Sequence, residues 1–432
     1  MTLLVVSPDY ASHLLPLATL ATAWRDAGQR VVVATGPATA AIVRGFGYEH
    51  VELSLGRGSN PGVIRPEEQP PGEDASLRGF FDATRRGMLA TLRYQADARA
   101  DDLLWQPVAT ARRVLAVLDA VRPDQVVVDH LAFSARIALA AAGVRYADVV
   151  LGHPSALPVR DEVYGFPPAW PKAFEPDAGA LAALRARCVA VADGFTRQWN
   201  DALHALAPGA PAVDDAFAAH GDVVLLNYPE ELHDPLRGHA LPGAAFLGSC
   251  VRDDAPDADV ARWLDAGEDP VVHVSFGSFL SARADVLARV VEALRPLPAR
   301  VALATGSADV GALGALPGHW LVRASLPQVA VLRRAAATVS HGGNNSVTEA
   351  LTFGVPLVTL PFSTDQFAGA AALEDAGLGP VLDPNAASPA HLRNAVETVL
   401  APGSGAAAAA RRLGDRLRAT PGPSRARTAL AG

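Results

Sequence analysis

Short apolar runs recur along the chain at intervals that leave room for one helix between successive runs. Leu3 to Ser7, Arg30 to Thr35, Gln125 to Val128, Arg145 to Leu151 and Asp222 to Asn227 read as strands in the first half. Val271 to Phe276, Val301 to Thr305, Trp320 to Ala324, Ala337 to Ser340 and Pro356 to Pro361 read as strands in the second. Their cores are apolar throughout rather than alternating, as parallel strands covered on both faces require. Helical periodicity fills several of the gaps. Leu14 to Ala27 carries Leu14, Leu17, Ala18 and Leu20 on one side and ends at Gly28. Leu77 to Leu118, Phe133 to Ala142, a segment containing Cys188 and Trp199, Asn345 to Phe353, His391 to Leu400 and Ala406 to Ala419 are the other predicted helices. This alternation predicts an α/β protein with two parallel sheets. The first βαβ unit has no G-x-G-x-x-G turn, so a dinucleotide cofactor is not expected.

Length is consistent with that division, because 432 residues suit two domains of about 200 each better than one. The predicted boundaries are a first domain over 1–235, a Pro-rich and acidic linker over 236–258, a second domain over 259–403, and a tail over 404–432. Half the residues are hydrophobic, enough for a large core, yet the apolar runs are broken by charges or turns before 20 residues, so no membrane span is expected. Leu3 to Val6 is too short for a signal-peptide core, and a cytoplasmic location is expected. Cys188 and Cys250 are the only cysteines, which excludes a disulfide framework and a cysteine-rich metal site. A net charge of −8 argues against nucleic acid as a partner.

The densest chemistry lies in residues 325–366, SLPQVAVLRRAAATVSHGGNNSVTEALTFGVPLVTLPFSTDQ. A buried strand runs into a glycine turn, His341 to Asn344, and then into a helix that Gly354 and Pro356 stop. The first N–H groups of a helix have no partner within it, and the helix end is positive. Gly342 and Gly343 remove side chains there, so a phosphate can approach the backbone. His341, Asn345 and Ser346 offer further donors, and Glu349 lies one turn on, where a carboxylate suits the paired hydroxyls of a ribose. Asp365 and Gln366 follow the next strand at the carboxyl edge, where open α/β sheets bind ligands and where sugar hydroxyls are within their reach. The alternative is a polar strand-to-helix turn with an N-cap.

Two residues of the first half have a proton-transfer arrangement. His13 sits in the first turn of a helix, whose positive end favours a neutral ring able to accept a proton. Asp129 ends a strand, and a carboxylate there can hold the imidazole Nδ1–H and fix its tautomer. The alternatives are a packing role for His13 and an N-cap role for Asp129, and His130 is a competing neighbour. Phe80, Phe81, Met88, Tyr94 and Trp105, with Tyr164, Phe166, Trp170 and Phe174 in the Pro-rich segment 154–176, read either as core or as the wall of a pocket. His153, at a strand end, is a further candidate for that pocket.

These residues resemble the family 1 glycosyltransferases, which use UDP- or dTDP-activated sugars, and in particular the bacterial members that act on natural products. The family pattern of Pro-Gln, His-x-Gly, a helix with Glu, Gly-Val-Pro and Asp-Gln is matched by Pro327, Gln328, His341, Gly343, Asn345, Ser346, Glu349, Gly354, Val355, Pro356, Asp365 and Gln366. The Gly-His-x-x-Pro start is matched by His13 and Pro16, with Ser12 in place of Gly. The resemblance implies the GT-B fold, with an acceptor domain and a nucleotide-sugar domain facing across a cleft and a final helix crossing back to the first domain. It implies inverting transfer with His13 as base and Asp129 as its partner. Phosphate contacts would come from His341, Gly343, Asn344, Asn345 and Ser346, with Gly277 and Ser278 leaving room for the phosphates. Ribose contacts would come from Glu349 and Gln328, and sugar contacts from Asp365 and Gln366. Ser325 replaces the aromatic residue on which the base stacks in the family, leaving the choice between UDP and dTDP open. Acceptor contacts are expected from Phe80, Met88, His153 and Phe166. No metal and no tightly bound cofactor are expected; the nucleotide sugar is a co-substrate. The expected partners are that donor and a small-molecule acceptor, with homodimerisation open. Two other readings share the fold: a nucleotide-sugar epimerase, which needs acidic groups in the cleft, and a non-catalytic partner, for which Ser325 is the main argument.

Overall fold

The computed structural model describes residues 1–62, 73–102, 104–241, 243–281 and 283–431, without the side chains of 73, 74, 100–102, 278 and 279. Two parallel sheets organise it. The first has seven strands: β1 (Thr2–Val6), β2 (Arg30–Thr35), β3 (Glu49–Glu52), β4 (Gln125–Asp129), β5 (Ala147–Val150), β6 (Val223–Leu226) and β7 (Ala245–Phe246). The second has five: β8 (Val271–Ser275), β9 (Arg300–Ala304), β10 (Leu321–Arg323), β11 (Ala335–Ser340) and β12 (Leu357–Thr359).

The strand orders are β3-β2-β1-β4-β5-β6-β7 and β10-β9-β8-β11-β12. Each sheet grows from its first strand to one side and then reverses to the other. The reversal lies between β1 and β4 in the first sheet and between β8 and β11 in the second. Ligands of open α/β sheets bind outside the carboxyl ends of the strands at such a reversal. Register completes the placement. Val6 pairs with Val128, so the loop after β1 emerges beside Asp129. Ser275 pairs with Ser340, so Gly277 and His341 emerge side by side.

The apolar runs are buried on both faces, as parallel strands with crossover helices on each side must be. Leu3, Val5, Val127, Val149 and Leu225 pack against the helix Ala11–Leu20, whereas Leu4, Val6, Val126 and Val128 face the helices Pro107–Val121, Phe133–Ala142 and Ala178–Leu206. In the second sheet Val272, Val274, Val301, Leu303 and Val339 pack against the helices Ala284–Leu294 and Pro389–Leu400.

Several elements differ from the expectation. The predicted helical stretch 77–118 is three helices, Glu73–Arg86, Met88–Asp102 and Pro107–Val121. The breaks fall at Gly87, with φ 105°, and at Gln106, with φ 44°, before a proline that starts the next helix. The first helix begins at Ala11, ahead of the expected start at Leu14. The stretch 236–258 is more than a linker, since β7 extends the first sheet. The helix Gly405–Ala419 packs on the helix Asn344–Thr352. Its Gly414 is so close that an added Cβ would lie 2.8 Å from the Gly354 nitrogen. The helix Gly422–Ala431 lies on the first half, where Ala426 is buried and the Leu430 carbonyl accepts a hydrogen bond from Gln125 Nε2 at 3.0 Å.

Candidate functional site

A cavity of about 520 Å³ lies where the carboxyl ends of the two sheets face each other. The first half contributes Tyr10, Ser12, His13, Arg99, Asp129, His130, Tyr164 and Phe166 to its wall, and the second contributes Phe276, Gly277, His341 and the run Gly343 to Ser346. Both sheet reversals therefore open into one chamber.

On the first side, His13 Nδ1 lies 2.7 Å from Asp129 Oδ2, and the other carboxylate oxygen accepts the Leu131 N–H at 2.8 Å. Asp129 is 1 % exposed, so its orientation is set by these two bonds. A carboxylate accepting from Nδ1–H leaves the lone pair on Nε2, which makes no hydrogen bond among the described residues and belongs to a ring on the cavity wall. Burial pulls the His13 pKa down. The charge and hydrogen bond of Asp129, helped by the charge of Asp365, outweigh burial, and the net pKa lies above the ordinary value of 6.5. The helix start alone suggested a neutral ring; the carboxylate reverses the sign. His130 does not compete as a base, because its Nδ1 lies 3.0 Å from Asp148 Oδ2 and its Nε2 lies 3.2 Å from the Ala156 carbonyl oxygen.

On the second side, β11 runs through Gly342, with φ 81°, into the helix Asn344–Thr352. No side chain caps this helix, so its first N–H groups remain available to a ligand. His341 is enclosed by glycines. A Cβ at Gly277 would lie 3.0 Å from its Cε1, and one at Gly343 would lie 2.3 Å from its Nε2. Burial lowers the His341 pKa to about 4, against a smaller opposing effect of the Ser275 backbone, so the ring is neutral at pH 7. Its Nδ1 is buried without a hydrogen bond of normal geometry.

The model for UDP-glucoronosyl and UDP-glucosyl transferase matches residues 186–405, more than half of the chain. The chain belongs to this family. Among curated relatives, the oleandomycin glycosyltransferase of Streptomyces antibioticus is 32% identical over 189 residues, 43% of this chain and 43% of that protein. The matched stretches span only 32% to 52% of the length of the first curated relatives. Among solved structures, the glycotransferase of kitacinnamycin superposes with a TM-score of 0.69 at 24% identity, covering 100% of this chain and 98% of that one. The glycosyltransferase VinC, solved in complex with dTDP, superposes with a TM-score of 0.68 at 20% identity over 100% of both chains. At these identities the likeness shows the fold, which is GT-B.

Within this family member, the side chains read as donor contacts divide into two groups. Gly277, His341, Gly343, Asn344, Asn345, Ser346, Asp365 and Gln366 reach the cavity. Several of their polar atoms are nevertheless engaged by the protein. Asn344 Nδ2 donates to the carbonyls of Leu151 at 2.6 Å and Asn227 at 2.8 Å, and Asn345 Nδ2 donates to that of Ser12 at 2.6 Å. These two amides tie the glycine turn to the first half. Asp365 Oδ2 accepts the His153 N–H at 2.7 Å, an approach that Gly152 permits, since a Cβ there would lie 2.6 Å from the same oxygen. Gln366 Oε1 accepts the N–H groups of Phe362 and Ser363.

Ser325, Gln328 and Glu349 do not line the cavity. Ser325 is exposed at the carboxyl end of β10. Gln328 Nε2 donates to Glu349 Oε2 at 2.6 Å, and Arg252 Nη1 meets Glu349 Oε1 at 2.5 Å. Burial raises the Glu349 pKa, and Arg252 and Gln328 offset only part of the rise. Arg252 lies in the stretch read as linker, and no local pattern marks it. The backbone of Ser278 belongs to the short helix Gly277–Leu280, while its side chain lies outside the described residues.

Of the expected acceptor contacts only Phe166 lines the cavity. Phe80 belongs instead to the core of the second half. It gets there because the helix Glu73–Arg86 docks across the cleft, with Arg283 Nη1 on Thr84 Oγ1 at 3.2 Å and Asn385 Nδ2 on the Thr84 carbonyl at 2.8 Å. Met88 packs beside Phe166, Trp170 and Phe174 around Leu92 and Phe367. The His153 ring turns towards Ser155 Oγ at 2.9 Å and packs edge-on against Tyr228, and burial lowers its pKa to about 3. Tyr10 and Arg99 are cavity residues that the sequence reading missed. Among the described residues no three His, Cys, Asp or Glu gather as a metal site, and no helix is long and apolar enough to cross a membrane.

Proposed function

We propose that the chain is an inverting glycosyltransferase moving a sugar from a UDP- or dTDP-sugar to a hydroxyl of a small, largely apolar natural-product acceptor. The observation that carries the reading is the single chamber in which the His13–Asp129 pair faces the uncapped helix after His341 to Gly343. His13 Nε2 takes the proton of the acceptor hydroxyl while that oxygen forms its bond to the anomeric carbon. The bond from that carbon to the diphosphate oxygen breaks, and the nucleoside diphosphate leaves with the electron pair. Asp129 holds the ring in the tautomer that exposes Nε2 and stabilises the imidazolium as it forms. The helix start and neutral His341 offset the charge growing on the leaving oxygen, as preorganised donors do. No step in this scheme requires a metal.

The pH profile tests the pair. The base must be unprotonated, so kcat/KM falls as pH drops through the His13 pKa. Because that pKa is raised, the acid limb is expected above pH 6.5. In Asp129→Asn the carboxylate charge is gone, so the limb moves to lower pH while the plateau falls by roughly 10²-fold or more. A limb that stays in place in the variant contradicts the assignment of Asp129.

A further inference from the structure

Among the described residues, the cavity wall has one cation that the proposed reaction leaves without a task. Arg99, in the last turn of the helix Met88–Asp102, reaches the cavity wall. It makes no hydrogen bond and no ion pair among the described residues; its one contact of note is the Tyr164 ring, with Cζ 5.1 Å from the centroid. Several other arginines of this chain that are shielded from water have carboxylates, whereas Arg300 is held by the carbonyls of Leu264 and Gly267. Arg237 pairs with Glu162, Arg252 with Glu349, and Arg283 with Asp285. Asp97, two residues away on the same helix and so not facing Arg99, pairs with Arg187.

The seat of this guanidinium depends on a glycine. Gly165 has φ 84°, and a Cβ there would lie 2.4 Å from Arg99 Nη1. The positive φ bends the chain between Tyr164 and Phe166 so that both rings border the cavity, and the absent side chain leaves the space the guanidinium occupies. The cavity wall is mixed: it includes Leu131, Val150, Ala156, Tyr164 and Phe166, and also Asp129, Asp365 and the glycine turn. A guanidinium has five N–H donors, and one that no protein group engages is best satisfied by a hydrogen-bonded anion. The planar fork of arginine matches a carboxylate in two parallel hydrogen bonds. The chain carries a net charge of −8, so its overall field does not gather anions, and their recognition has to be local.

We propose that Arg99, resting on Tyr164 in the space left by Gly165, is a carboxylate-binding subsite of the cavity. This rests on the reading of the cavity as a transfer site. The carboxylate belongs either to a ring-bearing hydroxy acid acting as acceptor or to a uronic acid carried by the donor.

The test measures binding by calorimetry to the whole protein and to Arg99→Gln. One arm compares 4-hydroxybenzoate, 6-hydroxy-2-naphthoate and 4′-hydroxybiphenyl-4-carboxylate, each with its carboxamide. The other arm compares UDP-glucuronate with UDP-glucose. In one arm the acid is expected to bind about tenfold or more tightly than its neutral partner, the discrimination typical of hydrogen bonds to a charged group. In Arg99→Gln that preference is expected to fall to within about twofold, with the neutral partner little changed. The arm that shows the preference identifies the source of the carboxylate. Equal binding of acids and neutral partners, no binding of any acid in either arm, or a preference that survives in Arg99→Gln overturns the proposal. If the variant does not fold, the ratio in the unaltered protein decides alone. Neither arm requires sugar transfer. No preference in the unaltered protein, with transfer intact, rejects the subsite only, and a preference in an unaltered protein that transfers no sugar rejects the proposed function only.

Discussion

Replacing His13 with alanine is expected to lower kcat for transfer to a hydroxyl by about 10²–10⁴-fold, the usual contribution of a positioned general base. Donor affinity is expected to stay within about twofold, because the His13 ring hydrogen-bonds Asp129 and makes no bond to the glycine turn. The two effects are separable: calorimetry with the nucleoside diphosphate reads the donor side, and product formation under saturating donor reads the base. The substitution removes one of the two bonds to the Asp129 carboxylate, leaving that from Leu131, so some loss of stability accompanies it. A thermal melt separates that cost from the loss of rate. Turnover unchanged in a folded variant rejects His13 as the base.

The second large effect is expected at Gly343. Its φ of −62° and ψ of 139° are open to alanine, so backbone strain is not the argument. The added Cβ would lie 2.3 Å from His341 Nε2 and 2.9 Å from Cε1. On its other side the ring meets Gly277, where a Cβ would already lie 3.0 Å from Cε1. The ring has little room to retreat, so the turn must open or the helix start must shift. Overpacking of this kind costs about 1–3 kcal/mol. If it falls on the geometry that binds diphosphate, the Kd for UDP or dTDP rises by roughly tenfold to a hundredfold. Gly369→Ala is the control, since nothing lies within 4 Å of a Cβ at that helical position. Equal nucleotide affinity for Gly343→Ala and the control shows that the diphosphate does not use this turn.

What could be read from the sequence follows from what periodicity encodes. β2 and the helix Phe133–Ala142 coincide with their expected spans because each is an apolar unit with clear stops. The glycine turn was legible for a local reason: strand, turn and helix are contiguous, and the absent side chains are visible as letters. The pairing of His13 with Asp129 spans 116 positions, and no pattern along the chain states it; the family resemblance suggested it, and the register of β1 with β4 supplies the geometry. Phe80 shows the opposite case. An aromatic on an amphipathic helix announces burial but not the partner, and here the partner is the other domain. Glu349 was legible as a polar group below the turn, whereas its ion pair with Arg252, 97 residues away, was not. Arg99 was hidden for the same reason, since charge on a helix ordinarily marks the solvated face. The bridging bonds of the Asn344 and Asn345 amides were not legible, because a donor near a phosphate site and a donor bridging two domains are the same letter.

The most direct test of the account follows the anomeric proton by NMR during a reaction in EDTA. An α-linked UDP- or dTDP-sugar is mixed with the protein and an apolar hydroxyl acceptor. The account predicts a β-linked product, formed one for one with the nucleoside diphosphate, unaffected by EDTA and lost in His13→Ala. An α-linked product, or transfer that stops when EDTA is added, contradicts it.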